Sequence, residues 1–374
     1  MHIPWCVQKC PYCDFNSHNL KGGLPESEYI SHLLDDLQQD LPLITIDGSK
    51  REVSSIFIGG GTPSLLSVAG MQKLLQGIGE RIPLAADAEI TMEANPGTVE
   101  AEKFIGFEKA GINRISVGVQ SFNTEHLKAL GRIHDARQAQ TAVELATSLP
   151  LRSFNLDLMH GLPNQSVEDA MRDLEKAIVL APPHLSWYQL TIEPNTSFYS
   201  KPPTLPDDDI LWEIQERGHE LLSKAGYQQY EISAYSKKGH QCQHNLNYWR
   251  FGDYLGIGCG AHGKITQPHN SKIVRTVKVK HPKGYMNLMR SYMDKTTEVV
   301  DADLAFEFFM NRFRILESCP KQHFADYTGR LLTDVEQKSL NKAISMNLII
   351  ENKDVWQLTD TGKRYLNSLL DLFV

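Results

Sequence analysis

The chain has no apolar run near the ~20 residues that span a bilayer, which excludes a membrane-spanning segment as a reading of the sequence. It has no basic surplus either. Lys and Arg number 38 against 45 Asp and Glu, a formal net charge of -7, where nucleic-acid-binding domains carry a basic excess. The start, Met1-His2-Ile3-Pro4-Trp5-Cys6, lacks a basic segment leading into an apolar one, so no secretory signal is read and a cytoplasmic protein is expected. Cysteine is scarce, with six in 374 residues, and a chain this long needs no disulfide scaffold. What is left is a soluble globular composition, 41% hydrophobic and 22% charged. The length suggests roughly two or three domains.

The few cysteines are unevenly placed. Cys6-x3-Cys10-x2-Cys13 puts three soft ligands on one short loop, and soft thiolates select zinc or iron–sulfur clusters. Zinc wants a fourth ligand, which Asp14, His2 or His18 could supply. A cubane cluster on three thiolates leaves one iron open to a small molecule. Cys242, Cys259 and Cys319 are scattered and read as small buried hydrophobes.

Downstream, short β-rich runs alternate with helical patterns. Strands are predicted at Ser54–Ile58, Glu89–Met92, Arg114–Val119, Phe154–Leu158 and Leu185–Ile192. Helices are predicted at Val68–Ile82, Val99–Ala110, Ala136–Leu149 and Val167–Leu180. Such alternation argues for an α/β fold with a parallel sheet, open or closed into a barrel. The polar oddities collect where strands end: Gly59-Gly60-Gly61-Thr62-Pro63 after the first, Glu93 after the second, Gln120 after the third and Asp157 near the end of the fourth. In β/α barrels that address builds the active site. A single strand-end carboxylate is more often a cap or loop hydrogen-bonder; four at the same address weigh more. The glycine triplet offers backbone N–H groups to a carboxylate, or simply makes a tight turn. It lacks the Lys of a P-loop and the spacing of a dinucleotide fingerprint.

These residues carry a family resemblance. Cys6-x3-Cys10-x2-Cys13 with Tyr12 before the last cysteine resembles the radical SAM cluster loop, and Gly59–Pro63 resembles the GGGTP segment of that family. Glu93 in Glu-Ala-Asn-Pro, Gln120 in Gly-Val-Gln-Ser-Phe, Arg132 in Leu-Gly-Arg-Ile-His and Asp157 in Asp-Leu-Met-His-Gly-Leu-Pro resemble the ligand set of oxygen-independent coproporphyrinogen III oxidase-like proteins. The resemblance implies a partial (β/α)6 TIM-like barrel. It implies a [4Fe–4S] cluster on Cys6, Cys10 and Cys13, and S-adenosylmethionine on Gly60, Gly61, Thr62, Glu93, Gln120, Arg132 and Asp157. Within the family the sequence is similar to the haem-chaperone branch. His244-Asn245-Leu246-Asn247-Tyr248-Trp249 matches that branch's HNxxYW segment, and Glu307–Arg314 matches the opening of its C-terminal domain. The oxidases carry a further cysteine two residues after the third; here that place is Phe15.

The branch implies haem as a third cofactor, on His244, Tyr248 and Trp249. It implies haem-acceptor proteins such as respiratory cytochromes as partners, a homodimer among the assemblies, and a scaffold that does not turn over as an oxidase. Oxidative decarboxylation of coproporphyrinogen III is the alternative function, and a zinc-stabilised barrel without radical chemistry is a third. The family also places a Tyr in a strand six residues ahead of Cys6, so most of the first barrel strand is expected to be missing from a chain that begins at Met1.

The expected domains are 1–200 for the barrel, 201–300 for a connecting region with the haem motif, and 301–374 for a winged-helix-like α+β unit. In the middle region, Asp207-Asp208-Asp209 opens a long helix to Ala225, and 227–235 reads as one strand. The aromatic-rich stretch from Gly239 to Gly263 reads as a packed loop presenting His244. Cys242 is a competent alternative iron ligand and His262 the next candidate. Residues 301–374 hold 9 basic and 11 acidic residues, so this unit is read as structural or docking rather than DNA-binding.

Overall fold

The computed structural model describes residues 1–97, 101–267, 272–287, 289 and 291–374. Its main sheet has eight strands: β1 (His2–Ile3), β2 (Val53–Gly60), β3 (Leu84–Ala94), β4 (Arg114–Gln120), β5 (Ser153–His160), β6 (His184–Gln189), β7 (Gln228–Glu231) and β8 (Ala234–Ser236), in the order β1-β2-β3-β4-β5-β6-β8-β7. The first six run parallel, and β8 joins β6 antiparallel. Parallel strands covered on both faces need apolar residues at nearly every position. Ile115, Val117 and Val119 of β4 and Leu156 and Leu158 of β5 are fully buried.

Helices follow the strands: α1 (Glu26–Asp40), α2 (Val68–Gly79), α3 (Phe104–Lys109), α4 (Ala136–Ser148), α5 (Val167–Val179) and α6 (Asp208–Lys224). Several of them begin at side-chain caps. Asp135 and Ser166 close capping boxes with Gln138 and Asp169, and the Asp207 carboxylate accepts the Ile210 N–H at 2.9 Å. The six strand–helix units are the expected partial barrel. The expected beginning of α3 at Val99 lies outside the described residues.

The first strand is short, as expected, but present. His2 and Ile3 pair with Gly59 and Gly60. Residues 227–235, expected as one strand, form the hairpin β7–β8 instead. No Gly or Pro marks the turn; the Glu231 carboxylate makes it by accepting the Ser233 N–H at 3.0 Å. The expected loop around His244 is partly helical, with α7 spanning Gln243–Trp249.

A second sheet, β9 (His262–Gln267), β10 (Lys272–Lys278) and β11 (Met293–Glu298), is antiparallel throughout. It is tied to α1 by Lys278, whose ammonium lies 2.6 Å from both Asp36 and Asp40 with all three side chains buried. The C-terminal unit opens with α8 (Asp301–Arg312) and carries a three-stranded sheet of Cys319–Pro320, Ile349–Glu351 and Val355–Leu358. Its core gathers Phe308, Phe309, Phe313, Phe324 and Trp356, together with Phe251 and Ile273 from the middle region. A backbone seam joins it to the barrel sheet: Ile232 N–H donates to Arg314 C=O at 3.1 Å, Leu316 N–H to Tyr230 C=O at 3.0 Å, and Glu231 bridges Ile315. No described helix is long and apolar enough to cross a membrane.

Candidate cofactor site

At the C-terminal ends of the parallel strands lies a cavity of about 520 Å³. Cys6, Cys10 and Cys13 line it together with Gly60, Gly61, Thr62, Glu93, Gln120, Arg132 and Asp157. Every residue that the sequence assigned to the cluster and its ligand therefore meets at one place, which is what the strand-end rule requires of a barrel site.

Local structure explains each position. The cluster loop leaves the sheet at Ile3 and is pinned by its neighbours. Thr62 N–H donates to Trp5 C=O at 2.8 Å, and the Gln8 amide donates to Gly131 C=O at 3.2 Å. Gly131 has φ 66°, and a Cβ there would sit 2.8 Å from the Pro11 ring. Only glycine allows that close approach, which brings Arg132 to the loop. The Arg132 guanidinium donates to Asn95 Oδ1 at 2.7 Å and Gly118 C=O at 2.8 Å, and reaches Cys10 Sγ at 3.7 Å, while its buried Nε finds no partner.

Gln120 ends β4 with φ 66°, a left-handed conformation uncommon for a residue with a side chain. Asp173 of α5 holds it there by accepting the Ser121 hydroxyl at 2.6 Å and the Phe122 N–H at 2.8 Å. The cost of such a conformation is met by its surroundings, and these conformations cluster at functional sites. Asp157 accepts Ser116 Oγ at 2.9 Å and Asn155 Nδ2 at 2.7 Å. Burial raises its pKa.

Of the two roles read for the glycine triplet, carboxylate binding through its amides is not the one seen. Its amides are not available to a carboxylate: Gly59 N–H donates to Met1 C=O, Gly60 N–H to Glu93 Oε2, Gly61 N–H to Ile3 C=O and Thr62 N–H to Trp5 C=O. The glycines serve close approach instead. Gly60 has φ 111°, and a Cβ there would lie 2.6 Å from the His2 ring. Glu93, bound to that amide at 3.0 Å, has its pKa pushed up to about 7, first by burial and then by the charge of Asp157.

Strand-end reasoning missed Tyr188 and Ser186, which line the same cavity from β6. Tyr188 donates to Gln120 Oε1 at 2.9 Å. The signal was present, because both fall in a predicted strand, but neither is charged. Asn245, Trp249 and Arg314 also line this cavity.

A neighbouring cavity of about 480 Å³ shares Gly60, Glu93 and Phe15 with the first and is lined by His244, Tyr248, Tyr254 and His262. It lies along β2 on the stretch Val53–Phe57, ahead of the pairing of Gly59 and Gly60 with His2 and Ile3. His244 stacks on Phe57, ring centroids 4.9 Å apart at 17°, and meets Tyr248 edge-on at 4.9 Å. Its Nδ1 is 3.3 Å from Ser55 Oγ, and its Nε2 has no hydrogen-bond partner among the described residues. Burial pushes its pKa down to about 3, so the imidazole is neutral and its lone pair available. Cys242 is different. Its buried thiol donates to Glu89 Oε1 at 3.4 Å, and burial pushes its pKa up to about 11. It stays a thiol and is a poor iron ligand.

The three haem candidates are thus divided. Helix α7 is the wall between the cavities: His244 and Tyr248, four residues apart, face the smaller one, whereas Asn245 and Trp249, also four apart, face the larger.

The donor set fits the implied cofactors. Three free thiols line one cavity, and the cysteines of a cubane each bind a different iron. Arg132, with an orphaned buried Nε, and Glu93 stand where a ligand carboxylate and ribose hydroxyls would find partners.

Fold and cavity together define a radical SAM protein, and comparison with known proteins agrees. Residues 1–177 match the radical SAM superfamily and residues 301–365 the HemN C-terminal domain. The chain belongs to the HemW family. It is 62% identical over its whole length to the protein named heme chaperone HemW of Escherichia coli, of which it spans 97%, and 32% identical to the Bacillus subtilis protein of that name, of which it spans 98%. A mouse mitochondrial radical S-adenosyl methionine domain-containing protein is 33% identical, over 99% of this chain and 85% of its own. The solved coproporphyrinogen III oxidase HemN of Escherichia coli has the same fold, with a TM-score of 0.83 at 22% identity, covering 100% of this chain and 88% of that one.

Proposed function

We propose that this protein is a cytoplasmic haem chaperone, which binds haem and passes it to acceptor proteins such as respiratory cytochromes. Cys6, Cys10 and Cys13 hold a [4Fe–4S] cluster, and Gly60, Gly61, Thr62, Glu93, Gln120, Arg132 and Asp157 surround S-adenosylmethionine. When bound, the cluster supplies an iron with an open position for the amino and carboxylate groups of that ligand. The observation that carries the haem assignment is helix α7, which sets a neutral, cavity-facing His244 on the far side of one thin wall from the cluster cavity. The relatives named heme chaperone support it at full length. His244 would hold the haem iron, with Tyr248 beside it on the same cavity and Trp249 on the opposite face of the helix.

The experiment is a haem titration of His244→Ala. Iron–sulfur content is expected to stay, while haem affinity falls by at least the ~10–100-fold that loss of even an outer partner costs a metal site, and the Soret position shifts. An unchanged titration and spectrum would move the iron to another residue, with His262 on the same cavity next in line.

Glu93 gives the ligand site a pH signature. Below its raised pKa of about 7 the folded protein holds this carboxyl protonated; above it the carboxylate accepts two hydroxyl donors. S-adenosylmethionine affinity is therefore expected to rise roughly three- to tenfold between about pH 6 and pH 8 in equilibrium dialysis. Glu93→Gln should flatten the profile. A parent chain whose affinity is level across that range removes Glu93 from the ribose.

A further inference from the structure

Beyond the residues given to S-adenosylmethionine, the larger cavity has a second wall made by Asn245, Trp249 and Arg314. Arg314 follows α8 and is held by the seam, its C=O accepting Ile232 N–H at 3.1 Å. Its guanidinium carbon lies 4.4 Å from the Trp249 ring centroid. Stacking of this kind fixes the guanidinium plane and leaves its edge N–H groups free for a bidentate acceptor. No ion pair or hydrogen bond to the guanidinium occurs among the described residues, and its Nε is buried without a partner. The Trp249 indole N–H is likewise buried and unpaired. The Asn245 side chain makes no hydrogen bond among the described residues. Buried donors without acceptors are rare in folded proteins and call for an explanation.

Glu231 is the one acid on this wall. It feels the Arg314 charge, but its Oε1 accepts Ser233 N–H at 3.0 Å, and burial raises its pKa. It makes no ion pair with Arg314. Beside Glu231 the wall thus offers the unpaired donors of Arg314, Trp249 and Asn245, the first permanently cationic, with an aromatic face behind it.

We infer that Arg314, Trp249 and Asn245 form a carboxylate-binding subsite on the wall of the cluster cavity, and that it takes a propionate of a porphyrin. The choice of porphyrin rests on the haem reading above; the carboxylate chemistry does not. Arg314 supplies the charge and the fork, Trp249 one N–H and the stacking plane, and Asn245 a neutral donor. The subsite is separate from His244, which faces the other cavity across α7.

Metal-free protoporphyrin IX tests this without iron ligation, against its dimethyl ester, by fluorescence titration of the full chain with its cluster reconstituted anaerobically. The parent is expected to bind the diacid about tenfold or more tighter than the ester, since charge-assisted bidentate pairs are the strong ones. Arg314→Gln should bring the two within about twofold, and Trp249→Phe, which keeps the ring and loses the N–H, should narrow the gap to about threefold. A parent that binds both porphyrins alike or binds neither overturns the inference, as does an Arg314→Gln variant that keeps the preference. If Arg314→Gln does not fold, Trp249→Phe decides: an undiminished preference there overturns the subsite. Failure of the haem reading looks different. It shows as an unchanged haem spectrum in His244→Ala, with the carboxylate preference intact.

Discussion

Exchange of any one of Cys6, Cys10 and Cys13 for Ala is expected to strip anaerobically reconstituted protein of nearly all its iron and sulfide, to below about a tenth of the parent content. The three thiols are on one loop with no spare: the other cysteines, Cys242, Cys259 and Cys319, are buried elsewhere. The loop itself is fixed independently of the thiols, through Thr62 N–H on Trp5 C=O and Leu20 N–H on Cys6 C=O. The variants should therefore fold and stay colourless while the parent turns brown. Iron and sulfide analysis beside far-UV circular dichroism checks both halves. Full loading of the triple Ala variant would remove the cluster from this loop altogether.

Lys278→Met is expected to cost about 3–5 kcal/mol of stability, the range for breaking a buried ion pair from one side. Lys278, Asp36 and Asp40 are essentially solvent-free. Without the ammonium, Asp36 keeps the Tyr285 hydroxyl at 2.6 Å and the Gly258 N–H at 3.0 Å, but two carboxylates then share one dry site. Burial already raises the Asp40 pKa with Lys278 in place. An acid whose folded pKa is raised is least costly when protonated, so the deficit should shrink as pH falls into the carboxylate range and be largest near neutrality. Urea unfolding at pH 5 and pH 7.5 reads this out. Adding Asp36→Asn and Asp40→Asn should recover much of the loss; a single Lys278→Met variant as stable as the parent would show the network contributes nothing.

The barrel was legible because its signals are local and redundant. Strands such as β4 and β5 are short apolar runs, and helices such as α5 and α6 begin at side-chain caps, Ser166 and Asp207. Strand ends marked by Glu93, Gln120 and Asp157 did converge, since parallel strands necessarily deliver their C-terminal ends to one side. The illegible parts lack such redundancy. The β7–β8 hairpin turns on a side-chain carboxylate, not on Gly or Pro. The sheet of β9–β11 hides its buried face behind Lys264 and Lys278, charged residues that are about 1% exposed. The HNxxYW residues were grouped by sequence, but a seven-residue helix has two usable faces, and that split shows only in three dimensions. Arg314 reaches the cavity from a segment 65 positions beyond Trp249, a distance no local pattern spans.

The seam between 230–232 and 314–316 makes the C-terminal unit part of the cavity wall, because the same peptide that docks it also carries Arg314. Docking and occupancy are then linked functions. Whatever free energy a molecule that grips Arg314 adds to the contact between the two units, loosening that contact takes from the molecule's hold in equal measure. An acceptor protein that pried at the C-terminal unit would not need to compete for the cargo at all; it would lower the cargo's affinity from the outside.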